Sequence, residues 1–127
     1  MTGNELYLIA LDLLSLRGEN GENACDTLDL KVRALNLINI LLTETAPLST
    51  EFDNKQHEIL SIDDLSETLP CEPFVARAIL PYGLASLLAL GEDDTVSERM
   101  ARLYNEAKLS LRNFKKAKRH EISEVYR

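Results

Sequence analysis

Residues 73–91, PFVARAILPYGLASLLALG, decide the fold. Only Arg77 carries a charge in this stretch, and apolar side chains point in almost every direction around a helix. A helix that is apolar all round belongs inside something. Burial of Phe74, Val75, Ile79, Leu80, Leu84, Leu87, Leu88 and Leu90 would contribute roughly 1.5–3 kcal/mol each. No other segment offers as much, so the spacing predicts a central helix with the rest of the chain packed around it. Pro81 interrupts that helix: it removes the bond its N–H would make to the Arg77 carbonyl. The expectation is a kink there, or a short helix followed by a second one. Gly83 allows another backbone to come close, and Gly91 ends the element.

Outward from this core, three further helices are legible. The first is expected over about Asn4 to Leu16, with Asn4 as N-cap, Gly18 as terminator and Leu6, Ile9, Ala10, Leu13 and Leu14 as its stripe. The second runs from Asp26 or Thr27 to Ala46, where Pro47 forbids continuation. It carries two stripes: Leu28, Val32, Leu35, Ile38, Asn39 and Leu42, and beside them Leu30, Ala34, Leu37 and Leu41. Asn36 and Asn39 read as edge polar residues. The fourth opens on Thr95-Val96-Ser97-Glu98, a capping-box pattern. Val96, Met100, Leu103, Ala107, Leu111 and Phe114 then step at helical spacing, with Tyr104 widening the stripe.

Between the second and central helices lies Leu48–Pro70, an irregular connection longer than compact domains usually hold. Ile59, Leu60, Ile62 and Leu65 are apolar enough to pin it to the bundle or to pair with a neighbour. After Arg119 the period changes. Ile122, Val125 and Tyr126 favour extended structure, so residues 120–127 are expected as an extended docking tail on a helical domain of residues 1–119. The fold class is therefore all-α: a small bundle of four main helices, one long loop and an extended C-terminal tail.

Composition agrees. The chain has 127 residues, 45% hydrophobic and 28% charged, with few aromatics and no Trp. That is one soluble domain, rich in helix formers. Charge is unevenly placed. Residues 1–107 hold 19 acids and 7 bases, whereas residues 108–127 hold 7 bases and 2 acids. The N-terminus lacks a basic leader, and after Arg77 the uncharged run falls short of the ~18 residues a membrane span needs. Cys25 and Cys71 lack metal spacing and read as reduced cytosolic thiols.

Chemistry is hard to find. His57 and His120 stand in different segments without ligands at metal spacing. Neither a G-x-S-x-G elbow nor a glycine-rich phosphate loop occurs. Glu92-Asp93-Asp94 reads as a solvated helix N-terminus. The expectation is a protein without catalytic residues, metal or cofactor. The acid-free run from Lys108 to Arg119 holds six bases. It suits a solvated helix end, an acidic protein partner, or phosphates, although no aromatics are interleaved for base stacking.

Taken together, ELYLIALDLLSL, KVRALNLINILLTE, LP-x-EPFVARAILPYGLASLLALGEDD, YNEAKLSLR and the closing ISEVY resemble the small head–tail connector (adaptor) proteins of tailed bacteriophages. The resemblance spans nearly the whole chain, and LPYGLASLLALGEDD and ISEVY are its most specific parts. It implies a structural virion protein, made in the host cytoplasm, that forms a ring of about twelve copies beneath the portal. The ring would extend the DNA channel toward the neck and tail proteins, without specific DNA binding and without membrane contact. Portal docking would fall to Ile122, Val125 and Tyr126, with Lys115, Lys116, Lys118 and Arg119 beside them. Ile59, Leu60 and Ile62 would meet the next ring member. A cytosolic helical adaptor or regulator of one protein partner, or a nucleic-acid-binding module, would fit the same composition.

Overall fold

The computed structural model describes residues 1–15, 27–50 and 61–125. Its architecture is all-α: α1 (Gly3–Leu13), α2 (Thr27–Thr50), α3 (Pro73–Ala78), α4 (Leu80–Ala89) and α5 (Asp94–Val125). The helix α4 is the hub, touching α1, α2, α3 and α5. Leu80, Leu84, Ala85 and Leu88 are sealed from solvent. The central apolar segment is thus the core of the bundle.

Of the kink and the split expected at Pro81, the split is found, and it falls at Ile79, with φ −115° and ψ −54° between α3 and α4. This places Pro81 in the first turn of α4, where no intrahelical donor is needed. Pro73 stands likewise in the first turn of α3. The ends of the segment are wetter than expected. Phe74 is 56% exposed and Leu90 60%, because neither lies alongside the helices that cover the middle.

The helix α1 starts early. The Thr2 hydroxyl, not Asn4, caps it by accepting from the Glu5 N–H at 3.2 Å. It ends at Leu13, with Ser15 in the left-handed region (φ 57°) as its stop, ahead of Gly18, which lies outside the described residues. Tyr7 and Leu11 join Leu6 and Ala10 in the core, while Leu13 and Leu14 are only partly covered.

The helix α2 runs past its predicted stop. Pro47 lies inside it, and the helix continues to Thr50. Proline forfeits one bond, to Thr43, and only one turn remains to be lost. Buried Leu48 anchors that turn. Of the first predicted stripe, Ile38 and Leu42 are buried, but Val32 is 73% exposed. Ala34 and Leu41 of the second stripe face the core.

Residues 61–69, ahead of α3, are pinned by hydrogen bonds rather than by regular secondary structure. Asn39 uses its whole amide on one residue: Nδ2 donates to the Ile62 carbonyl at 3.0 Å, and Oδ1 accepts from the Ile62 N–H at 2.9 Å. Asn39 is therefore a clamp, not an edge polar residue. The N-terminus completes the attachment. Thr2 bridges Thr68, Gly3 N–H donates to Glu67, Asn4 N–H to Leu65, and Leu69 N–H to Met1. Gly3 lets this backbone come close: a Cβ would stand 3.0 Å from the Leu65 carbonyl oxygen and from Ile62 Cδ1, so the pinned segment would have to shift by a few tenths of an ångström.

A tight corner joins α4 to α5. Gly91 adopts φ +88°, a conformation that favours glycine. Asp93, not Thr95, caps α5: its Oδ1 accepts from the Val96 N–H at 3.2 Å and its carbonyl from the Ser97 N–H at 2.9 Å. The predicted capping box is displaced by a stronger cap two residues upstream. The helix then runs to Val125, so residues 120–125 are helical rather than extended. Adding a residue to an existing helix gains a hydrogen bond without new nucleation, which outweighs the β preference of Ile122 and Val125. Tyr126 and Arg127 lie outside the described residues.

Candidate functional site

The surface singled out by charge is the C-terminal half of α5. At 1.5 Å per residue, this 32-residue helix is about 48 Å long, whereas its partner α4 has only 10 residues. So α4 covers only the first part. Met100, Tyr104 and Leu111 are buried, and Leu111 is the last buried side chain described along α5. Beyond it Arg112, Asn113, Phe114 and Lys116 are exposed. Phe114, expected in the core stripe, and Leu109 are large apolar groups at the surface.

Among the residues predicted to dock, Lys116 is exposed on this arm. Lys115, Lys118, Arg119, Ile122 and Val125 occupy its helical backbone, with their side chains outside the described residues. Helical spacing places positions 111, 114, 118, 122 and 125 along one stripe, where an extended tail would have scattered the last two. Of the three residues predicted at a subunit interface, Ile59 and Leu60 lie outside the described residues. Ile62 is 3% exposed and packs in the chain's own core against Gly3.

At the root of the arm is a polar cluster that carries no sequence signal. Lys108 Nζ, the first base of the acid-free run, lies 2.6 Å from Glu44 Oε1 on α2. The same ammonium sits 4.2 Å from the centroid of the Tyr104 ring, a cation–π geometry. Tyr104 is 6% exposed. Its hydroxyl has no hydrogen-bond partner among the described residues. Burial, with the Glu44 carboxylate beside it, holds this phenol well above its ordinary titration range. The ring rests on α4 at Gly83, where a Cβ would stand 2.9 Å from Tyr104 Cε2 and from Leu41 Cδ2. Residues 44, 83, 104 and 108 come from three helices, which is why no local pattern announces the cluster.

Elsewhere the described surface carries clusters of acids. Glu92, Asp93 and Asp94 are exposed at the α4–α5 corner, and Asp63, Asp64 and Glu67 on the pinned segment. The Ser66 N–H on Asp64 Oδ1, at 2.8 Å, holds that carboxyl below its usual range. Burial pushes the half-buried Cys71 thiol up, away from thiolate chemistry. Among the described residues no three His, Cys, Asp or Glu side chains gather as metal ligands, and no helix is long and apolar enough to cross a membrane. No family model, curated protein or solved structure matches this chain.

Proposed function

We propose that this chain is a structural subunit of a phage virion, a head–tail connector that assembles as a ring below the portal and joins head to tail. The observation that carries the reading is the form of α5. Its base-rich half is helical and extends 14 residues beyond Leu111, the last side chain seen buried along it, from an otherwise acidic bundle. A preformed helix meets a partner at a lower ordering cost than a loose tail would. The bases steer it toward an acidic surface. An acidic ring wall repels phosphates, so DNA would pass through it without specific binding.

Mass measurement of the chain alone and mixed with a candidate portal protein tests this. The expected result is a ring complex that forms with portal and is lost on deletion of residues 121–127, with helix content otherwise kept. Normal attachment by the truncated chain would remove the docking role. A monomer or dimer that ignores portal and captures one host protein would favour a regulatory adaptor. Retardation of DNA with a steep salt dependence would favour nucleic-acid binding.

A further inference from the structure

The bundle leaves one face of α5 uncovered. Met100, Tyr104 and Leu111 are buried on its inner side. On the opposite side Asp94, Glu98, Asn105, Leu109, Arg112 and Lys116 are exposed and recur at helical spacing, with half-buried Ala101 among them. Charge along this seam runs from acid to base, with Asp94 and Glu98 at one end and Arg112 and Lys116 at the other. Near its middle lies a shallow open groove lined by Glu98, Ala101, Arg102, Asn105, Glu106 and Leu109. Leu109 is the large apolar group of that groove and is 54% exposed. A seam that is acidic at one end and basic at the other, with a leucine and a small alanine on either side of its centre, complements a reversed copy of itself.

We propose that this seam binds a second copy of the chain, with the two α5 helices packed antiparallel about a two-fold axis at Asn105. Glu98 then meets the partner's Arg112, Asp94 meets the partner's Lys116, and Leu109 enters the groove beside the partner's Ala101. Charge selects this register. An axis at Ala107 would set Arg102 against Arg112, and one at Leu109 would set Arg102 against Lys116. A parallel pair would bring like charges together along the whole seam, and like charges facing each other suppress association. Lys108, which would otherwise oppose Arg102, is turned to the side by its ion pair with Glu44 at 2.6 Å. From Asp94 to Lys116 the paired length is about 33 Å at 1.5 Å per residue. Exposed ion pairs around one small apolar contact per copy make the dimer weak and salt-sensitive. An isologous contact closes at two copies, so it is not the contact between neighbours in a ring. It pairs free chains, covers Arg112 and Lys116 of the base-rich arm, and does not depend on the portal reading.

Sedimentation equilibrium of the full chain, from micromolar to millimolar concentration and at low and high salt, tests the pairing. The expected result is a monomer–dimer equilibrium at low salt that weakens as salt rises. Glu98→Arg and Arg112→Glu each replace two attractive pairs by two repulsive ones, and each should weaken the dimer about tenfold. An equimolar mixture of the two variants should bring association back to near the parental level, because every contact in the mixed pair again joins an arginine to a glutamate. Net charge alone predicts the opposite for Glu98→Arg, which adds two positive charges to a chain of net charge −7 and would by itself favour association. Both positions are exposed, and circular dichroism checks that each variant keeps its helix content. A chain that stays monomeric at every concentration, oligomers that grow past two copies, or a mixture no tighter than the separate variants would each overturn the proposal.

Discussion

Ser86 and Ser97 hold α4 and α5 together by a reciprocal pair of hydrogen bonds. The Ser86 hydroxyl donates to the Ser97 carbonyl at 3.1 Å, and the Ser97 hydroxyl donates to the Ser86 carbonyl at 2.9 Å. Both serines are buried, so neither hydroxyl has water as an alternative, and two small residues let the helices approach closely. The helix α5 leaves α4 at this junction, and its direction from there depends on it. Ser86→Ala or Ser97→Ala should each lower stability by about 0.5–1.5 kcal/mol. Because the two bonds are separate, the double variant should lose close to the sum in urea denaturation.

Gly83 sets the spacing of three helices. In a helix interior, alanine is normally preferred over glycine by about 1 kcal/mol. Here the added Cβ would stand 2.9 Å from Leu41 Cδ2 and from the Tyr104 ring. Leu41 has a flexible end, but the ring is buried and cannot retreat easily. Gly83→Ala should therefore destabilise by about 1–3 kcal/mol, with a change in the near-ultraviolet circular dichroism of Tyr104.

Asn39 replaces a strand partner for Ile62. Asn39→Ala leaves both backbone groups of Ile62 without their partner and should cost about 2–3 kcal/mol, with faster hydrogen exchange at the Ile62 amide. Asn39→Asp keeps the acceptor but faces the Ile62 carbonyl with a second oxygen. It should retain amide protection better than alanine does and still be less stable than the parent.

The start of α5 separates two caps. Asp93→Ala should cost about 1 kcal/mol. Thr95→Ala should stay within about 0.5 kcal/mol, since Thr95 lies inside the first turn rather than at its cap. Thermal melts of the two variants give the comparison directly.

Alkaline stability should report on Tyr104. Its phenol titrates higher in the folded chain than the ordinary value near 10 because of burial and the neighbouring Glu44 charge. Below about pH 10 both states hold the proton and the phenol adds no pH dependence. Above it the unfolded chain releases the proton first, so stability falls as pH rises. Tyr104→Phe should be less steep in this range, and a parallel decline in both proteins would contradict the burial of the hydroxyl.

The sequence alone determined that the protein is helical and that residues 73–91 lie at its centre, because one nearly uncharged stretch has nowhere else to go. It also called for a kink or a break beside Pro81, which follows from one missing donor. Only the tertiary structure decided where the covering helices stop. Hence Phe74, Leu90 and Val32 face water although their side chains are as apolar as those inside. The Asn39 clamp on Ile62 and the Glu44–Lys108 pair link positions 23 and 64 residues apart, and no periodicity encodes such meetings. The full length of α5 is hidden from the sequence for a related reason: residue preferences describe segments in isolation, whereas a helix already under way extends at little cost until something stops it.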